Sequence, residues 1–220
     1  MNIVNKATGG FIGLKSITIL ICLILMLAHN DVHANEIKDQ PSNETMVRGV
    51  MISGIQYAVE QYGAEGGLYN DPRFRLPMPD ELRNVEKVLR MLGGKKLANR
   101  FVYLLNKTAE STLRESEPVL MEYIKTMPIA NSDQLASGSY TEIADYFASN
   151  GTTDLAEKII PILGKVSEQE GLVSTLKKML DKARLSGTFN KLNGKVDESI
   201  INAVMAVVVY GMKSGYQLRP

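Results

Sequence analysis

Two arginines separated by a single residue, Arg73 and Arg75, with Asn70 close by, are the side chains in this sequence best suited to hold an anion. A guanidinium grips carboxylate or phosphate in a planar, two-pronged fashion. An extended chain would place both on one side, because side chains alternate along a strand. The structural alternative is that one arginine pairs with Asp71, Asp80 or a helix C-terminus and pins the loop. Other combinations are poorer. Ser174-Thr175-Leu176-Lys177 spells S-x-x-K, the nucleophile motif of penicillin-binding enzymes, and Ser132-Asp133-Gln134 imitates their second motif. Yet the order is reversed, no K-T-G follows, and no sheet is foreseen to hold them. Paired carboxylates occur at Glu115/Glu117, Glu168/Glu170 and Asp197/Glu198. Glycoside hydrolysis needs two acids facing each other across a cleft; these fall at predicted helix ends, where acids cap or flank turns. Gly93-Gly94-Lys95-Lys96 lacks the spacing of a phosphate-binding loop and reads as a helix stop and start.

What is missing narrows the chemistry further. Residues 1–34 read as an export signal: Lys6 and Lys15 supply positive charge, Ser16 to Ala28 an apolar run, and Val32-His33-Ala34 a cleavage site with Asn35 next. The run is short for a membrane span, which takes about 20 residues. An uncleaved inner-membrane anchor is the alternative. A lipoprotein reading of Cys22 fails because Ile21, not a small residue, precedes it. Cleavage removes both histidines (His29, His33) and the single cysteine of the 220-residue chain, which has no tryptophan. It also leaves equal numbers of cations and anions. A mature chain of this kind offers no disulfide, no thiol nucleophile, no Ser-His-Asp triad and no His or Cys metal site. Neutrality argues against bulk capture of nucleic acid or anionic lipid. No cofactor, metal site or nucleic-acid partner is expected, and membrane contact only in transit through the signal. Three Asn-x-Thr sequons, at Asn43, Asn106 and Asn150, matter only where the secreting cell glycosylates them.

Behind the candidate residues lies helical periodicity nearly throughout. Residues 35–44 read as a flexible leader. A first helix runs over 45–62 with Val47, Met51, Ile55, Ala58, Val59 and Tyr62 on one face, ended by Gly63, Gly66 and Gly67. A loop over 68–78 contains Pro72 and Pro77. Pro79 then opens a helix, with Asp80 and Glu81 at its positive end. A third helix carries Leu97, Phe101, Leu104, Leu105 and Thr108. Ser116 caps a fourth, closed by Pro128. A short turn starts at Ser132. Helices follow over 141–149, from Thr153 with a kink at Pro161, and around Leu172 to Ala183. The last begins with Asp197 as its cap. Val204 to Tyr210 has strand-like residues, but it continues a helical period and is apolar nearly all round, which predicts a buried central helix. The expected fold is all-α: a single irregular multi-helix bundle, residues 45–220, around an apolar C-terminal helix.

The stretch Phe74 to Thr112, FRLPMPDELRNVEKVLRMLGGKKLANRFVYLLNKTAEST, resembles the signature of a bacterial family, domain of unknown function 4197. Its R-[IL]-P-[LM]-P motif stands here as Arg75-Leu76-Pro77-Met78-Pro79. Gly66 to Pro72 resembles the family's G-G-x-x-x-x-P turn, and Tyr146-Phe147 and Pro161 fall where the family has a Tyr-Phe pair and a proline element. Ile160 stands where that element has Arg, and Gly187 to Lys195 is shorter than the family's linker. The likeness runs from about Met46 to the C-terminus. It implies an exported all-helical domain and no known activity.

Three functional readings remain. The first is a non-catalytic periplasmic binding module, holding an apolar or amphipathic anion in a helical pocket lined by Met and Tyr, with Asn70, Arg73 and Arg75 at its mouth. The second is a structural or envelope-assembly protein acting through protein contacts. The third is a hydrolase using carboxylates or Ser174 and Lys177.

Overall fold

The computed structural model describes residues 41–214; the signal at 1–34 and most of the leader lie outside them. Nine α-helices and two short 3-10 turns make up the described fold, with no strand among those residues. No helix among them is long and apolar enough to cross a membrane.

Helix α1 spans Asn43–Tyr62, starting two residues earlier than its periodicity suggests because the Ser42 hydroxyl accepts from the Thr45 amide. Its buried face holds Val47, Met51, Ile55, Ala58 and Tyr62. After the loop, a 3-10 turn (Asp80–Leu82) leads into α2 (Arg83–Met91). Gly93 and Gly94 separate α2 from α3 (Lys95–Glu115), as the sequence suggests. Helix α4 (Glu117–Thr126) follows directly. Ser116 is not its cap: the residue has helical backbone angles, and its buried hydroxyl finds no partner. Arg48 of α1 closes the far end of α4 by donating to the carbonyls of Ile124 and Met127.

Helices α5 (Ser132–Ser137), α6 (Tyr140–Asn150), α7 (Thr152–Gln169) and α8 (Leu172–Lys182) come next. At α6, Ser139 and Glu142 form a reciprocal capping box. Helix α7 runs on through Pro161.

A second 3-10 turn (Ser186–Thr188) leads into α9 (Phe189–Lys213). Asp197 therefore lies inside α9 and does not cap it. Asn193 and Gly194 read locally as a helix break, but burying Leu192 and Val196 carries the helix across them. The valine-rich stretch is helical, and α9 packs against α1, α3, α6, α7 and α8 as the axis of the bundle. It meets α1 closely at Gly54 and Gly211. A Cβ on Gly54 would come within 2.6 Å of the Met212 backbone.

Candidate functional site

The loop between α1 and α2 is built on two polar side chains of α3, one helical turn apart. Glu110 is 3% exposed, and its carboxylate accepts from the amides of Gly66, Leu68 and Tyr69, each at 3.0 Å. Gly66 has φ +80°, a conformation that L-residues rarely adopt and that glycine, without a Cβ, takes freely. Asn106, fully buried, pairs with both polar groups of Leu76: its Oδ1 accepts from the amide at 2.8 Å and its Nδ2 donates to the carbonyl at 2.9 Å. The side chain thus acts as a one-residue strand partner for Arg75-Leu76-Pro77. With Leu76 packed on the core, Arg75 and Pro77 line a pocket on the outer side.

Arg73 points elsewhere. The segment it belongs to is a turn, since the Asp71 carbonyl accepts from the amides of Phe74 (3.1 Å) and Arg75 (2.8 Å). The alternation expected of an extended chain is therefore absent at this point. The Arg73 guanidinium pairs with Asp71 at 2.6 Å and donates to Tyr210 (2.6 Å) and Tyr62 (3.2 Å). It also lies 4.9 Å from the Tyr210 ring centre and 5.4 Å from that of Phe74. Arg73 is thus the pin that latches the loop to α9. Asn70 is exposed, its Nδ2 beside Gly66, and does not line the pocket. Of the three residues singled out, only Arg75 does.

The latch sets two titrations apart. Burial pushes the Tyr62 hydroxyl from 10.0 up to about 12, with Arg73 pulling the other way. Hydrogen bonds from Arg73 hold Asp71 at about 2, below its ordinary 3.8. A raised folded value means that Tyr62 contributes fully below pH 10 and loses its contribution as pH climbs toward 12. For Asp71 the contribution holds above 3.8 and fades toward pH 2. A titration followed by tyrosinate absorbance should show a late-ionising hydroxyl that Tyr62→Phe removes. Tyrosines that all ionise together near pH 10 would contradict this.

The pocket has a volume of about 550 Å³ and lies between the loop, α2 and α3. Arg75, Arg83, Arg90, Asn99 and Glu86 give it polar walls; Pro77, Met78 and Val102 give it an apolar part. Arg83 pairs with Asp80 at 2.7 Å, and Arg90 donates to Glu86 at 2.9 Å. The Arg75 guanidinium has no ion pair or hydrogen bond among the described residues. Its guanidinium lies 4.2 Å from the Tyr69 ring centre, and that ring meets Tyr103 edge-on at 5.6 Å. Sequence reading missed Asn99, Arg83 and Arg90 as wall residues, and Asn106 and Glu110 as supports. Arg83, Glu86 and Arg90 are spaced three and four apart, a periodicity that marks one helix face.

The hydrolytic candidates do not assemble. The Ser174 hydroxyl donates to the Gly171 carbonyl at 3.0 Å, while the Lys177 ammonium lies 4.9 Å from the Phe189 ring centre. Burial raises Glu170, but Lys107 (2.8 Å) and Ser111 (2.9 Å) outweigh it and leave the carboxyl below its usual range. Asp197 is raised by burial and accepts from Asn193 at 2.9 Å; its neighbour Glu198 turns to Lys195 at 2.7 Å. A separate shallow groove of about 710 Å³, mostly apolar, lies between α6, α7 and α9, with Ile160 on its rim.

Bundle and pocket together define a class: an all-α domain with a loop strapped to one helix and a cation-rich pocket beneath the strap. The chain belongs to the family described as "Protein of unknown function (DUF4197)", whose model matches residues 39–213. No curated protein and no solved structure matches it significantly.

Proposed function

We propose that this protein is a non-catalytic, exported binding module of the periplasm, and that it takes a small amphipathic anion in the Arg75 pocket. The observation that carries this reading is Arg75 itself. Arg83 and Arg90 each have a carboxylate partner, whereas Arg75 lines the pocket with only an aromatic ring against it. A planar guanidinium stacked on Tyr69 has lost little of its donor capacity and is held ready for a carboxylate or phosphate. Asn99 adds a neutral polar contact. Pro77, Met78 and Val102 suit an apolar portion of the same ligand.

Native mass spectrometry of the protein purified from its own host tests the reading, and the intact mass also reports whether the chain starts at Asn35. The expected result is a co-purifying anion whose affinity falls about 10- to 100-fold in Arg75→Ala, the loss of one charge-assisted contact. An empty pocket that also ignores a panel of carboxylate and phosphate amphiphiles would sink it. Assembly through protein contacts is the second reading, favoured by the apolar groove and by Ile160, which is 54% exposed. A dimer in sedimentation that Ile160→Glu abolishes would support it.

A further inference from the structure

The turn between α2 and α3 exposes apolar surface that the fold does not require. Met91 is 78% exposed and its neighbour Leu92 54%. Five cations surround them in sequence, all exposed: Lys87 and Arg90 before the turn, Lys95, Lys96 and Arg100 after it. Residues 87–100 contain no acid. The side chains of Lys87, Lys95, Lys96 and Arg100 make no ion pair or hydrogen bond among the described residues, and Arg90 pairs with Glu86. Lys95 and Lys96 stand in the first turn of α3, at the positive end of its dipole. That end has no acidic residue and no side-chain cap. Local rules are broken here without a compensating contact inside the protein, which is the mark of a functional surface.

We propose that this tip docks the protein on an anionic phospholipid bilayer. Met91 and Leu92 enter the boundary between headgroups and acyl chains, while Lys87, Arg90, Lys95, Lys96 and Arg100 face the lipid phosphates. Charge complementarity selects this occupant. An apolar pair flanked by five cations, four of them unpaired, has the composition of an interfacial anchor. Two side chains on one turn offer a protein partner far less than the roughly 800 Å² per side of a standard interface. The neutral total charge of the chain past residue 34 does not oppose this, because fields are screened beyond about 8 Å and the bilayer senses the nearby tip alone.

The test uses the protein purified from its own host, sedimented with vesicles of phosphatidylcholine alone or of phosphatidylcholine containing phosphatidylglycerol. Binding is expected to the second kind only, weakening as salt rises. Lys95→Gln and Lys96→Gln should each cost about fivefold in partitioning. Met91→Ser with Leu92→Ser should cost about tenfold. All four positions are exposed, so helical content by circular dichroism should be unchanged. Hydrogen exchange on the vesicles should protect amides of residues 88–96 and no other helix end. Equal binding to both vesicle types, no binding, unaffected variants or protection elsewhere would each overturn the proposal. A vesicle-free dimer lost in the Met91→Ser, Leu92→Ser variant would also overturn it, assigning the tip to a second copy.

Discussion

Glu110→Ala is expected to lower the unfolding free energy by about 4 kcal/mol. The loss arises because the carboxylate is the shared acceptor for the Gly66, Leu68 and Tyr69 amides, and the Leu68 amide is buried with it. Removing a charged acceptor leaves donors with neither protein nor full water contact, at about 1–3 kcal/mol each and less than additively. In a domain of this size the melting temperature should drop by roughly 8–16 °C. Glu110→Gln should fall between, since its carbonyl can still accept while its NH2 group opposes another N–H. The loop carries Tyr69 and Arg75, so anion affinity in the pocket should fall with the strap even though Glu110 does not line it. Chemical denaturation with a midpoint unchanged in Glu110→Ala would show that water replaces the carboxylate, and the strap would lose its explanation.

A second large effect is expected where α1 crosses α9. Gly211→Ala should cost about 3 kcal/mol, because the new methyl would collide with the Gly54 carbonyl oxygen, which is backbone and cannot swing aside. Gly54→Ala meets the Met212 N and Cα at 2.6 Å and should cost as much. The two losses should combine to less than their sum, since both force the same pair of helices apart. Gly49→Ala, also inside α1 but with nothing within 4 Å of its added methyl, should instead stabilise by about 0.5–1 kcal/mol. Thermal unfolding of the three single variants and the double separates the crossing from general helix propensity. If Gly211→Ala and Gly49→Ala shifted the transition alike, close approach would not be what the glycines provide.

Much of the scaffold was legible in order along the chain. Val47, Met51, Ile55, Ala58 and Tyr62 repeat at helical spacing and are the buried face of α1. Gly93-Gly94 divides two helices, and the valine-rich segment of α9 is helical because its period continues on both sides. The start of α9 was not legible. Asn193-Gly194 carries a local signal to stop, and only the burial of Leu192 and Val196 against the bundle overrides it. The site was legible in part. The 66–79 loop stood out by its composition, as did Arg75 within it and Asp71 as a partner for one of its arginines, but the bonds from Arg73 to Tyr62 and Tyr210 and the turn that separates the two arginines did not.

Periodicity and composition alone determined the helical class, the apolar axis and the family resemblance, because each is written in residues three or four apart or in a local run. Tertiary structure decided which polar side chains matter. Glu110 and Asn106 look in sequence like the wet side of an amphipathic helix; they are buried because a loop some thirty to forty residues away folds over them. The cationic tip shows the same limit from the other direction, since a total charge records no position. A hydrogen-bond partner or a local field depends on distances that folding sets between parts of the chain far apart in sequence, and no local pattern encodes them.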